Sequence, residues 1–189
     1  MPIEMRITNL KLGLTKDEVK LVPYDDEWKN EFLMVKKEIL QHTNLIDANI
    51  QHIGSTAIVG IMAKPILDMV VGVDDIDHVD KIIISGLKKA GFFRLAVEKP
   101  SEIVFAKFAD DTYQVKTHYI HLVDYDKELW NNLIFFSDYL NSNEPVRNEY
   151  QNLKWEYVQN NNSGIVEYTD YKEEFVRRIY AERLKRKDI

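Results

Sequence analysis

Cysteine is absent from the 189 residues. That excludes a disulfide framework, thiolate chemistry and any Cys-ligated zinc. No apolar run approaches the roughly 20 residues needed to span a bilayer. The first residues, Met1 to Arg6, lack the charged-then-apolar pattern of a secretory signal. A cytoplasmic location with no membrane partner is therefore expected. Internal repeats, low-complexity tracts and Pro/Gly/Ser linkers are missing too. An excess of positive charge is likewise absent: 25 basic residues face 31 acidic ones, for a formal net charge of −6. A surface built to bind a nucleic-acid backbone wholesale is disfavoured, which leaves a local basic pocket open. Such a surface would need a basic stripe around Lys64, Lys99, Lys107 and Lys116.

What is present is a core. Hydrophobic residues make up 45% of the chain and aromatics 11%, enough for one folded domain over residues 1–189. Residues 1–24 read as an N-terminal arm (1–18) and a short strand at 19–22, stopped by Pro23. Asp25 or Asp26 can cap a helix carrying Trp28, Phe32, Val35 and Ile39 on one face. Strands follow at 50–53 and 66–73, the second a nearly continuous apolar run broken only by Asp68. A helix is predicted over 77–90, closed by Gly91 in the left-handed region. Further strands are predicted at 92–97, 103–108 and 115–123, the last two as an antiparallel hairpin. From residue 126 to 189 the pattern is helical, with stripes of Leu129, Leu133, Phe136 and Leu140, of Val146, Tyr150, Leu153 and Tyr157, and of Tyr168, Tyr171, Phe175 and Ile179. A loop is expected at 159–164. The order gives an α/β (α+β) fold: a mixed sheet flanked by helices, with a helical C-terminal segment.

Residues 51–68 are the most informative stretch. Gly54 lets the backbone approach a ligand, Ser55 and Thr56 offer hydroxyls and amides, and a helix starting there would present an anion site. Lys64 supplies a point charge for the same phosphate or carboxylate. The alternative is an ordinary turn with Ser55 as a helix N-cap. Asp68, inside so apolar a strand, must be paired, protonated or metal-bound if buried. On the last strand Tyr119 and His121 share one face and His118 takes the other. His52, Asp68 and either His118 or His121 are candidates to converge, as metal ligands or as a base with its orienting carboxylate. The other reading is a polar pocket of satisfied hydrogen bonds. His42 and His78 read as surface positions. The Asp74, Asp75, Asp77 and Asp80 cluster lacks the glycine and final glutamate of a calcium loop, and reads as a solvated turn with a helix cap. Trp28, Trp130 and Trp155 read as core.

Several of these segments together resemble the GrpB family. They are Val19 to Trp28, His52 to Ala57, Ala63 to Asp68, Thr117 to Val123, Phe136 to Leu140, Tyr150 with Lys154, and Tyr168-Thr169 with Lys172 and Phe175. The resemblance runs from about residue 14 to residue 180. It implies a nucleotidyltransferase-like fold, in which a Gly-Ser turn holds a nucleoside triphosphate and Asp-x-Asp/Glu plus a third carboxylate bind two magnesium ions. Gly54-Ser55 matches the turn and Asp68 the first carboxylate. Position 70, where the second belongs, is valine.

Two readings follow. In the first, Gly54, Ser55, Thr56 and Lys64 hold the phosphates of a nucleoside triphosphate or other phosphorylated small molecule. Asp68, with His118 or His121, then holds Mg2+ or another divalent ion, and Asp68, His52 and His121 form the catalytic set. In the second, the pocket binds a nucleotide or small molecule without transfer chemistry. No Gly-x-x-x-x-Gly-Lys-Ser/Thr phosphate loop is present.

Overall fold

In the computed structural model, residues 11–160 and 164–187 are described. The chain runs β1 (Leu14–Thr15), α1 (Glu27–His42), β2 (Ile50–Ile53), β3 (Leu67–Val73), α2 (Lys81–Lys89), β4 (Phe92–Arg94), β5 (Ile103–Phe108), β6 (Val115–Asp124), α3 (Glu128–Ser142), α4 (Glu144–Asn160) and α5 (Ile165–Lys187). The strands form one mixed sheet in the order β2-β3-β6-β5-β4, with β1 also on β6. Among the described residues only the β3–β6 pair is parallel. The predicted hairpin is the antiparallel β5–β6 pair.

Register sorts the strand residues onto two faces. Leu67, Met69 and Val71 of β3, Ile120 and Leu122 of β6, and Phe105 of β5 meet Trp28, Phe32, Val35 and Ile39 of α1 and Ile83 and Leu87 of α2 in one core. On the opposite face Ile53, Val70 and Val123 pack against Trp130 of α3. Val70 is fully buried there. A third apolar cluster joins Phe136 and Leu140 of α3 to Tyr150 of α4 and Phe175 and Ile179 of α5. The helical segment thus roofs one sheet face, whereas α1 and α2 cover the other.

Local chemistry sets the element ends. The Asp25 carboxylate accepts from the Glu27 amide at 3.0 Å as α1 opens. α3 stops at Ser142, and Asn143 Oδ1 accepts from the Val146 amide at 3.3 Å as α4 begins with Glu144-Pro145. Proline early in a helix loses only an amide that had no partner anyway.

Several boundaries differ from expectation. The strand at 19–22 shrinks to a single bridge, Val22 to Ala63, and the arm's pairing strand is β1 instead. The helix predicted from 77 starts at Lys81, because Asp75 caps a separate 3-10 turn over Ile76–His78 and Asp80 caps α2. β4 ends at Arg94. Trp155 and Tyr171 are 44% and 42% exposed, which removes them from the core. The first ten residues of the arm and residues 161–163 of the expected loop lie outside the described residues. Among the described residues no helix is long and apolar enough to cross a membrane.

Candidate functional site

Between the β3/β6 face and helices α4 and α5 lies a cavity of about 600 Å³, within the range of small-molecule sites. Its floor comes from the sheet: Asp68, Tyr119, His121 and Val104. β3 and β6 run parallel with Asp68 beside Tyr119 and Val70 beside His121, so Asp68 and His121 share a face. Its roof includes Tyr150, Tyr168, Lys172 and Tyr180.

Gly54 closes one wall. Its φ is +70°, and a Cβ built there would lie 2.8 Å from Asp68 Oδ2. Both conformation and space demand glycine, because the backbone rests directly on the carboxylate. The expected helix start does not follow. Ser55–Ala57 is a three-residue 3-10 turn, too short to gather a helix dipole, and Ser55 does not cap it. Ser55 Oγ faces the pocket, 3.3 Å from the Tyr150 hydroxyl. Thr56 Oγ1 turns back to His52 Nε2 at 2.9 Å.

His52 itself is not in the pocket. It pairs with Met69, on the α1 face, and stacks on Phe32 with centroids 4.9 Å apart. Burial lowers its pKa to about 4, with Asp68 opposing, so the ring is neutral. His118 is on the same α1 face, its Nδ1 2.8 Å from Thr117 Oγ1 and its Nε2 3.3 Å from Glu31 Oε1. The expected convergence of His52 and His118 on Asp68 therefore fails, since the sheet lies between them. Of His52, His118 and His121, only the last meets Asp68.

His121 is held between two carboxylates. Its Nε2 lies 3.6 Å from Asp68 Oδ1, and its Nδ1 contacts Glu102 Oε1. Burial disfavours the charged ring, but the two acids outweigh it and raise the pKa to about 9. His121 is thus an imidazolium at neutral pH. Burial likewise pushes the carboxyls of Asp68 and Glu102 up, and His121 wins by holding both below their ordinary values.

This donor set does not fit the divalent ion that the resemblance implies. With Nδ1 on Glu102 and Nε2 facing Asp68, both His121 nitrogens are already engaged by carboxylates. His118 is on the far face, and position 70 offers a valine packed against Trp130. Among the described residues no group of three His, Cys, Asp or Glu side chains could hold an ion.

Lysines supply the positive charge instead. Lys64 is carried on the turn before β3, which is pinned to the arm by the Val22–Ala63 bridge and by the Gly13 amide on the Pro65 carbonyl at 2.8 Å. Lys64 Nζ lies 5.3 Å from the Tyr168 ring centroid and Lys172 Nζ 4.1 Å from the same one. Burial lowers the pKa of both, and Lys64 adds repulsion at Lys172, which falls to about 7 although Asp68 opposes. Lys154 also falls to about 7 through burial and then Lys172, but it donates to the Met62 carbonyl instead of lining the cavity. Lys99 and Lys116 do line it. Lys107 leaves the stripe to pair with Glu38 at 3.0 Å.

Glu102 is not marked out by the sequence, and Lys172 enters there only with the segments that resemble GrpB, without a role. Glu102 precedes β5, and only the Val104–His121 register puts it beside His121. Lys172 follows Tyr168 by one helical turn, a spacing that makes it part of the inward face.

Sheet and pocket together define a mixed-sheet α/β protein with a cation-lined cavity under its C-terminal helices. The match to the GrpB protein family model covers residues 18–182. The chain belongs to the GrpB family. It is 41% identical over 174 residues to the glutamate-rich protein GrpB of Alkalihalophilus pseudofirmus, covering 90% of this chain and 99% of that protein. It also resembles the crystal structure of GrpB from Enterococcus faecalis, with a TM-score of 0.71 and 23% identity over 90% of this chain and 100% of that one. The Cid1 poly(U) polymerase bound to MgGTP scores 0.44 at 13% identity, covering 66% of this chain and 40% of that one. That likeness is too slight to bear on the chemistry of this chain.

Proposed function

We propose that the pocket binds a phosphorylated small molecule without a divalent metal. Lys64 and Lys172 meet the phosphate, and apolar and aromatic lining such as Leu95, Val97, Tyr119 and Tyr180 meets the organic part. One observation carries this reading. Two lysine side chains are drawn over a single buried ring, and among the described residues neither has an ion-pair partner. Desolvating an ammonium that has no ion pair is costly, and binding an anion there would relieve that cost. Asp68, engaged by His121, offsets only part of the charge.

Binding is favoured over nucleotidyl transfer by the acids. In-line displacement with two metals needs carboxylates that bridge both ions, and Asp68 stands with a cationic histidine and no acid at 70. The family resemblance makes a nucleoside triphosphate the first ligand to test. Titration calorimetry with ATP in EDTA is expected to show binding at least as tight as with excess Mg2+, because the metal masks phosphate charge that the lysines recognise. Binding seen with Mg2+ and lost in EDTA would overturn the proposal.

A further inference from the structure

Building on the pocket as a phosphate site, we propose that Lys172 is also an amine nucleophile, forming an imine with an aldehyde or ketone group of a phosphorylated ligand. The placement separates this lysine from the others. Lys154 donates to the Met62 carbonyl, so its ammonium is committed to the protein backbone. Lys99 is 3.4 Å from Glu102, and Lys116 Nζ lies 5.8 Å from the Tyr119 ring. Lys172 lines the cavity, leans on Tyr168 and has a second lysine over the same ring. A lysine desolvated beside another cation is the arrangement that frees an amine lone pair for attack on a carbonyl. The pKa of about 7 agrees, since much of Lys172 is then uncharged at neutral pH.

The two lysines divide the work. Where the phosphorylated ligand carries a carbonyl, Lys64 meets the phosphate while the Lys172 nitrogen attacks the carbonyl carbon. The new C–N bond forms as a proton passes from the nitrogen to the carbonyl oxygen, giving a neutral carbinolamine. Its hydroxyl then leaves as water with one further proton, the nitrogen loses a proton, and the C=N bond forms. No oxidant or reductant is required.

The test uses pyridoxal 5′-phosphate as probe on the full chain, with borohydride to reduce any imine to a stable amine, read by intact mass and peptide mapping. Expected is one adduct per chain, on Lys172, with a yield that rises from about pH 6 to pH 8 as the amine deprotonates. Excess inorganic triphosphate suppresses it, and Lys172→Met abolishes it. Mapping in the wild type does not depend on that variant folding. Adducts spread over surface lysines, or at Lys64 with Lys172 unmodified, would overturn the proposal. If triphosphate still binds by calorimetry in that case, the amine role alone falls; if it does not bind, the phosphate reading falls as well.

Discussion

Lys172→Met is expected to weaken ATP binding by about 10- to 100-fold at neutral pH. A hydrogen bond to a charged group contributes about 1.5–3 kcal/mol, and every 1.4 kcal/mol is tenfold in affinity. Methionine keeps much of the volume over Tyr168, so the loss reports charge more than packing. The pH dependence gives an independent signature. In the free protein Lys172 titrates near 7, and phosphate favours its charged form. Above that pH the amine must take up a proton to bind, so wild-type affinity falls as pH rises from about 6 to 9. The limiting slope is tenfold per pH unit for one coupled proton. Lys172→Met removes that proton and flattens the profile. Calorimetry in buffers of different ionisation enthalpy measures the uptake directly. An unchanged affinity with an unchanged slope would show that Lys172 does not meet the phosphate.

Glu102→Ala is expected to destabilise the fold by about 1.5–3 kcal/mol, the usual worth of a hydrogen bond to a charged group, since Asp68 still faces the His121 cation. The Glu102 side chain is only 9% exposed, and it shares the His121 cation with Asp68. For a domain of this size, roughly 2–4 °C in Tm per kcal/mol puts the drop at about 3–12 °C. The sign with pH follows from His121. Its folded pKa, about 9, lies above the ordinary value of 6.5. The stability it contributes is therefore fully present below pH 6.5 and is lost as pH rises through 9. Without Glu102 the folded pKa falls back toward 6.5, so the deficit of the variant relative to wild type is largest in acid and shrinks in alkali. Urea unfolding of both proteins across that range measures it. A deficit independent of pH would mean that Glu102 acts by packing alone.

How much of this was legible in the sequence varies by element. The Asp68 strand could be read because a carboxylate in an apolar run stands out, and the opposed directions of His118 and His121 follow from the two-residue period of a strand. Whether His52 and Asp68 share a face depends on pairing register. His52 pairs with Met69, not Asp68, and a shift of one residue decides the side of the sheet. Glu102 was hidden for the same reason. Lys172 belongs to the segments that resemble GrpB, but no role could be read for it because an inward lysine breaks the apolar stripe that marks a helix's buried face; Tyr171 beside it looked like core and is exposed. The Gly54-Ser55 turn was visible as a motif, but its purpose was not. The glycine makes room for the Asp68 carboxylate, and the turn behind it is too short for a helix N-terminus.

The central claim is that lysine charge, and not a metal on Asp68, holds the ligand. Its most direct test is ATP binding to Asp68→Asn in EDTA, by calorimetry on protein confirmed as folded. Removing a negative charge from among Lys64 and Lys172 is predicted to leave binding intact or to tighten it. Loss of binding in the folded variant, or a requirement for Mg2+ in the wild type, would contradict the account.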